Sequence, residues 1–290
     1  MNALRTKKRS CYAALLFLAP SLIGFLTFYI IPFFAGLYYS FITSPVNGRF
    51  IGFSNYVSLL KNPIFQRATS NTFIFTGFSV PLLIMLSLCL AMLLNRKIPA
   101  NKTLRTLFIT PLVIPVASVI LVWQVLFDRA GSVNFLLAAM GFQPVDWMRS
   151  SWARVVVILL YVWKNIGYNM VLFLAGLQSV PAEYYESADI DGAGPFSKFT
   201  KITLVYLTPV SFFVLIMTII NSFKVFRETY SLAGAYPHDS IYMLQHYMNN
   251  MFASLDYQKL TSAAFLMAVL MIFLVSFMFF FERKIRELLS

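Results

Sequence analysis

The sequence predicts an all-α membrane protein with six transmembrane helices, and three observations carry that prediction. Hydrophobic residues make up 59% of the 290, aromatic residues 17% and charged residues only 12%, with a mean hydropathy of +0.73, far outside the range of a soluble domain. The few charges are spaced so that windows of about 20 or more apolar residues lie between them, enough to cross a bilayer. These windows are too long for barrel strands and lack strict alternation, so helices must satisfy the backbone inside the lipid.

Six windows pass: 10–48, 68–95, 106–127, 155–176, 202–223 and 260–281. The first is too long for one span, and Pro20 and Pro32 within it predict a kinked helix whose outer end runs on into the interface. Arg5, Lys7, Lys8 and Arg9 precede it as they would a signal peptide, yet the apolar run does not stop at a short core or offer a small-x-small cleavage site. A retained helix is the expectation. The fourth window is interrupted by Lys164. The segments 1–10, 95–105, 177–203 and 282–290 hold thirteen Lys and Arg, against nine in the longer loops on the other side. Both termini are therefore expected in the cytoplasm, with residues 1–10 a cytoplasmic tail and 11–290 a single multi-pass transmembrane domain. The net charge of +12 then reflects topology and attraction to anionic membrane lipid, and no soluble basic domain exists to bind nucleic acid. Cys11 and Cys89 fall in apolar spans and read as small buried hydrophobes.

One stretch departs from this pattern. Residues 183–202 hold Glu183, Glu186, Asp189 and Asp191, four of the eleven acidic residues, in the predicted cytoplasmic loop 177–203. Its local grammar is two short helices around a turn: Pro181 starts the first, Asp191-Gly192 breaks it in the left-handed region, and Pro195 starts the second. Tyr184, Tyr185, Ala188 and Ile190 give the first helix apolar surface outside the membrane, and small Ser187, Ala188 and Ala193 let another backbone come close. Docking on a protein fits this surface. The alternative, an amphipathic helix lying on headgroups, sets four acids against an anionic inner leaflet.

Glu186-Ser187-Ala188, Asp191-Gly192-Ala193, Phe199, Ile202, Leu204 and Pro209 resemble the EAA loop of permease subunits in binding-protein-dependent ABC importers, with matching spacing throughout. Ser187 stands where that pattern has Ala, and Val205 where it has Pro. The resemblance implies the type I ABC importer permease fold, with the 177–203 loop as a coupling helix seated in a groove of a cytoplasmic ATPase. Glu186, Ser187, Ala188, Asp191, Gly192, Ala193 and Phe199 would then be the ATPase-coupling residues. Ile51 through Tyr56, Asn71-Thr72, Trp163 through Leu177 and Ser222 through Phe226 look like the carbohydrate-type, MalF- or UgpA-like branch. Ser231 through Pro237 stands where that branch usually shows Gly-Gly-Pro, so the outer loop 224–260 is atypical. The family further implies a second permease subunit, often a different chain, two cytoplasmic ATPase subunits and an extracytoplasmic solute-binding protein, in a bacterial inner membrane. None of the twelve glycines precedes a lysine, so this chain has no Walker A loop. ATP and Mg would be used by the partner ATPase, and this chain is expected to bind no cofactor. A carbohydrate such as an oligosaccharide is the implied solute, with glycerol-3-phosphate or another polyol phosphate as the alternative.

Intramembrane polar residues are the candidates for lining the solute path. Lys164, Asn165, Tyr168 and Asn169 share the fourth window, with Lys164 placed to pair with Tyr168 at i, i+4 and Gly167 permitting close packing or local unwinding. Gln124 and Trp123, late in the third window, and Asn221 and Ser222, near the end of the fifth, could complete a cavity. Helix-to-helix hydrogen bonding uses the same residues and stays open beside lining. Lys224, Arg227 and Glu228 read as ordinary interface charges, and His238 and His246 are not expected to hold a metal. An ion-coupled secondary transporter is the rival from another class, but no Asp or Glu lies in any window. No catalytic residues are expected: there is no His-Glu-x-x-His and no nucleophile–base set.

Overall fold

The computed structural model describes residues 17–96 and 99–289; the expected cytoplasmic tail 1–10, the start of the expected retained helix and Cys11 lie outside the described residues. Helix dominates, and the one extended pairing among the described residues is the isolated bridge between Ile42 and Phe50. Five helices are long and apolar enough to cross a membrane, or six if one sharply bent pair counts as a span. They group into two compact units.

One unit comprises the described part of 1–62 together with 251–267. Its helix Phe17–Tyr39 contains a π turn, Leu26–Ile30, immediately before Pro32. Proline has no N–H to give the preceding turn, and the wider turn accommodates the loss. The helix does not run on to residue 48. A tight reversal comes next, with Ile51 N–H donating to Phe41 O at 2.8 Å and Thr43 N–H to Arg49 O at 3.0 Å. Asn55 on the short helix Ser54–Leu60 locks it by donating to the carbonyls of Ser40 and Ile42 at 3.0 and 2.9 Å.

The other unit holds 63–250 and 268–290. At its centre lies Ala153–Gln178, packed against Pro63–Leu94, Asn101–Val113 and Leu204–Phe223. Two apolar clusters flank its middle, one around Phe75, Leu160 and Tyr161, the other around Met170, Phe173 and Leu207. Gly167 sits between them, and a Cβ there would run into the Phe108 carbonyl, so the backbones of two helices touch. Of the two roles open to Gly167, close packing is the one observed.

Two expectations about the spans need correction. The window 106–127 is not one straight helix: Asn101–Val113 and Val116–Leu126 meet at 98°. The cause is local, because Ile114 precedes Pro115 and is pushed to extended backbone (φ −67°, ψ 134°), which ends the first helix. The fifth window does not stop at Phe223. An apolar helical run extends over Pro195–Ala233, with a turn at Lys224 and Val225, and carries Glu228 in its last short helix, Phe226–Ala233. The helix Tyr257–Leu289 completes the set.

Candidate functional site

The 177–203 loop is a built object. Helix Ala182–Ile190 begins after Pro181, whose extended backbone (φ −59°, ψ 135°) makes it the cap instead of the first helical residue, with Glu183 in the favourable first turn. It ends in a Schellman motif: Ala193 N–H donates to Ala188 O at 2.8 Å and Gly192 N–H to Asp189 O at 3.1 Å, with Gly192 at φ +73°. A Cβ on Gly192 would meet nothing within 4 Å, so only the left-handed backbone demands glycine there. Pro195 opens the second short helix, Pro195–Lys198, which passes through the π turn Phe199–Thr203 into Leu204–Phe223.

Three contacts strap the first short helix to the second and to the membrane helix beyond it. Asp189 and Lys198 form an ion pair at 2.5 Å, the hydroxyls of Tyr185 and Thr203 lie 2.9 Å apart, and the rings of Tyr184 and Tyr206 lie 5.1 Å apart. Tyr185 thus turns to the membrane helix, whereas Tyr184, beside Tyr206, keeps half of its surface exposed. The largest free apolar surface is at the tips: Ile190 is 88% exposed and Phe196 78%. Glu186, Ser187, Asp191 and Gly192 are exposed around these tips, while Ala188, Ala193 and Phe199 are half-buried behind them. Phe196 was not singled out in the sequence, although its place directly after the helix-starting Pro195 was visible.

The intramembrane candidates divide. Lys164, Asn165 and Asn221 line one cavity of about 230 Å³ with Leu112, Tyr161, Lys224, Val225, Arg227 and Glu228. Lys164 does not pair with Tyr168; it is ion-paired with Glu228, and the two side chains are only 14% and 13% exposed. Glu228 is therefore no ordinary interface charge, and no window boundary drawn at Phe223 could reveal it. Asn165 donates one amide hydrogen to the Tyr161 carbonyl at 2.8 Å. Asn169 stands apart from the cavity: it is buried and donates to Thr218 Oγ1 at 2.8 Å, a bond between two helices. Tyr168 is half-buried and also outside the cavity lining. Gln124 is exposed, donates to Leu232 O at 3.4 Å and lines a separate recess of about 460 Å³ with Asp128 and Ser132. Trp123 stacks on Phe127 at 5.2 Å, and buried Ser222 lies 2.9 Å from Thr76 Oγ1, both packing roles.

The loop 224–260 is anchored by residues from helices distant in sequence. Arg154 donates to Asn71 Oδ1 at 2.8 Å and to Ser240 O at 3.1 Å, Asn71 donates to Tyr242 O at 3.0 Å, and Leu244 N–H donates to Thr72 Oγ1 at 3.0 Å. This explains the polar pair Asn71-Thr72 inside an apolar helix. His238 caps the turn Asp239–Ile241 by accepting from Ser240 N–H at 3.2 Å. His246 is wholly buried against Phe226 and Tyr242; burial pushes its pKa down to about 4, so it is neutral, and its Nε2 has no hydrogen-bond partner among the described residues.

Comparison with known proteins places these features. Residues 83–287 match the family described as "Binding-protein-dependent transport system inner membrane component". The chain is 37% identical over 235 residues to the arabinooligosaccharides transport system permease protein AraP of Bacillus subtilis (strain 168), covering 78% of this chain and 73% of that one. It is 31% identical over 280 residues to the lactose transport system permease protein LacF of Rhizobium radiobacter, covering 94% of each. A crystal structure of a bacterial ABC transporter involved in the import of the acidic polysaccharide alginate contains a chain that superposes with a TM-score of 0.85 at 25% identity, covering 98% of this chain and 99% of that one. With six apolar segments, one of them bent, and the two-helix loop between the fourth and fifth, the chain belongs to the family of binding-protein-dependent transport system inner membrane components, the permeases of ABC importers.

Proposed function

We propose that this chain is one permease half of an ATP-driven importer that passes a carbohydrate, delivered by an external solute-binding protein, across the inner membrane of a bacterial cell. Relatives named for arabinooligosaccharides and lactose support a sugar. The amides of Asn165 and Asn221 in the cavity suit hydroxyl groups. The alternative solute, glycerol-3-phosphate or another polyol phosphate, is favoured by the cations Lys224 and Arg227 that also line it.

The observation that carries the proposal is the strapped hairpin with Ile190 and Phe196 in solvent. Apolar tips on a rigid support outside the lipid call for a protein groove. Two cytoplasmic ATPase subunits would supply it, hydrolysing ATP with Mg, while this chain holds no cofactor. The second permease is expected to be a different chain, with both termini of this one in the cytoplasm.

The mechanism rests on connectivity. The hairpin joins Ala153–Gln178, which carries Lys164 and Asn165, to Leu204–Phe223, which carries Asn221. Closure of the ATPase pair on the hairpin would move both cavity-lining helices as levers, and the αL turn at Gly192 fixes the angle through which force passes. The test is uptake of labelled arabino-oligosaccharide or lactose into proteoliposomes holding both permeases, the ATPase and the binding protein. Uptake that requires ATP is expected; uptake driven by an ion gradient without ATP would establish the secondary-transporter class instead.

A further inference from the structure

The cavity around Lys164 carries an imbalance of charge. Lys164, Lys224, Arg227 and Glu228 all line it, and Lys164 and Glu228 cancel each other as a largely buried ion pair. Lys224 and Arg227 remain, exposed at its rim, and neither has an acidic partner among the described residues. Uncompensated cations close to a low-dielectric wall attract an anion far more strongly than cations in open water.

The neutral part of the lining adds a second requirement. Asn165 spends one amide hydrogen on Tyr161 O and keeps its carbonyl oxygen for another partner, and the Asn221 side chain makes no hydrogen bond among the described residues. Amides of this kind bind hydroxyls. A neutral sugar would use them and leave both cations idle; a small inorganic anion would use the cations and leave the amides unpaired. A polyhydroxylated anion uses all four.

We propose, resting on the importer reading above, that this cavity is a subsite for an acidic sugar. Its carboxylate, phosphate or sulfonate group bonds to Arg227 and Lys224, and its hydroxyls bond to Asn165 and Asn221. Glu228 holds Lys164 out of this exchange, so the anion is read at the rim and the hydroxyls deeper. A lipid headgroup phosphate has the same anionic chemistry and could occupy the rim in its place.

The test uses the complete importer in phosphatidylcholine vesicles, with ATP-driven uptake measured for two trisaccharides of equal length, one neutral and one ending in a uronic acid. Because the binding protein is common to every preparation, the ratio of acidic to neutral uptake reports the permease. Arg227→Gln and Lys224→Gln should each lower that ratio about tenfold, the scale of one charge-assisted hydrogen bond, and Arg227→Lys should keep most of it. Variants that move both sugars together, or neither, overturn the subsite. So does a ratio that follows the content of added anionic lipid but not the variants, which assigns the cations to headgroups. ATP-driven uptake of the neutral trisaccharide alone by the unsubstituted importer overturns the subsite and leaves the importer reading standing, whereas uptake of either sugar without ATP sinks that reading instead.

Discussion

The hairpin at 182–198 and the cavity around Lys164 are assembled by opposite means. The hairpin is local: Pro181, Gly192 and Pro195 act on neighbours a few residues away, and its hydroxyl strap, Tyr185 to Thr203, spans 18 residues. The cavity is long-range. Its ion pair joins residues 64 apart, and its walls come from separate helices. A surface that must fit a partner's groove gains from a shape fixed by its own sequence. A solute path that must open and close gains from walls on helices that move separately.

If the central helix is the common support of both regions, the largest effect comes from Gly167→Ala. Its Cβ would collide with backbone, which cannot swing aside, at a cost of about 3 kcal/mol or more. Assembled complex recovered in mild detergent should fall steeply; normal recovery would break the backbone contact on which the packing rests.

Gly192→Leu separates the two regions next. It should leave insertion and assembly intact while uptake falls more than tenfold, since a branched side chain resists φ +73° and tilts the hairpin. ATP hydrolysis that continues without uptake is the expected signature. Unchanged uptake would remove the hairpin from the coupling path.

The ion pair sharpens the comparison from the cavity side. Lys164→Gln and Glu228→Gln should each cost about 2 kcal/mol, read as loss of thermal stability of the complex, because each leaves a largely buried charge without its partner. The double substitution should cost less than either alone. Simple additivity would mean the pair is not coupled.

The smallest effect is expected at the outer loop. Burial lowers the His246 pKa to about 4 from an ordinary 6.5, so the folded state prefers the neutral ring. An unfolded or opened loop then binds more protons between those values, and local stability is present above about pH 6.5 and lost as pH falls toward 4. Hydrogen exchange at residues 239–250, corrected for intrinsic rates, should report a loosening of about 2 kcal/mol between pH 7 and pH 5. His246→Phe should flatten this dependence, and an equally steep profile in that variant would place the titrating group elsewhere.

What could be read from the sequence divides in the same way. Hydropathy located the helices because the bilayer imposes one length on all of them. The turn of the hairpin was legible because αL glycine and helix-starting proline act on their own neighbours, but its contacts were not: Pro181 is a cap, Tyr185 is spent on Thr203, and Phe196 went unnoticed. The 98° bend could have been read from Ile114-Pro115, a pair that excludes helix at the first residue, but apolar composition masked it. Glu228 could not be read, because its partner lies on another helix and a boundary drawn at Phe223 put it outside the membrane. Asn165 and Asn169 differ by one helical turn and looked alike, yet one faces the cavity and the other is spent on Thr218. Only the packing of neighbouring helices separates them.

The most direct test of the central claim is to tag the C-terminus, extract the complex from its native membrane in mild detergent, and identify and count the co-purifying chains by mass spectrometry. The same is done with Ile190→Glu/Phe196→Glu. The unsubstituted chain should bring down a Walker-motif ATPase and a second six-helix permease, and the doubly substituted chain should keep the permease and lose the ATPase. Recovery of the chain alone, in a detergent that holds known importers together, would contradict the claim, and an ATPase retained by the double variant would move the contact away from the hairpin tips.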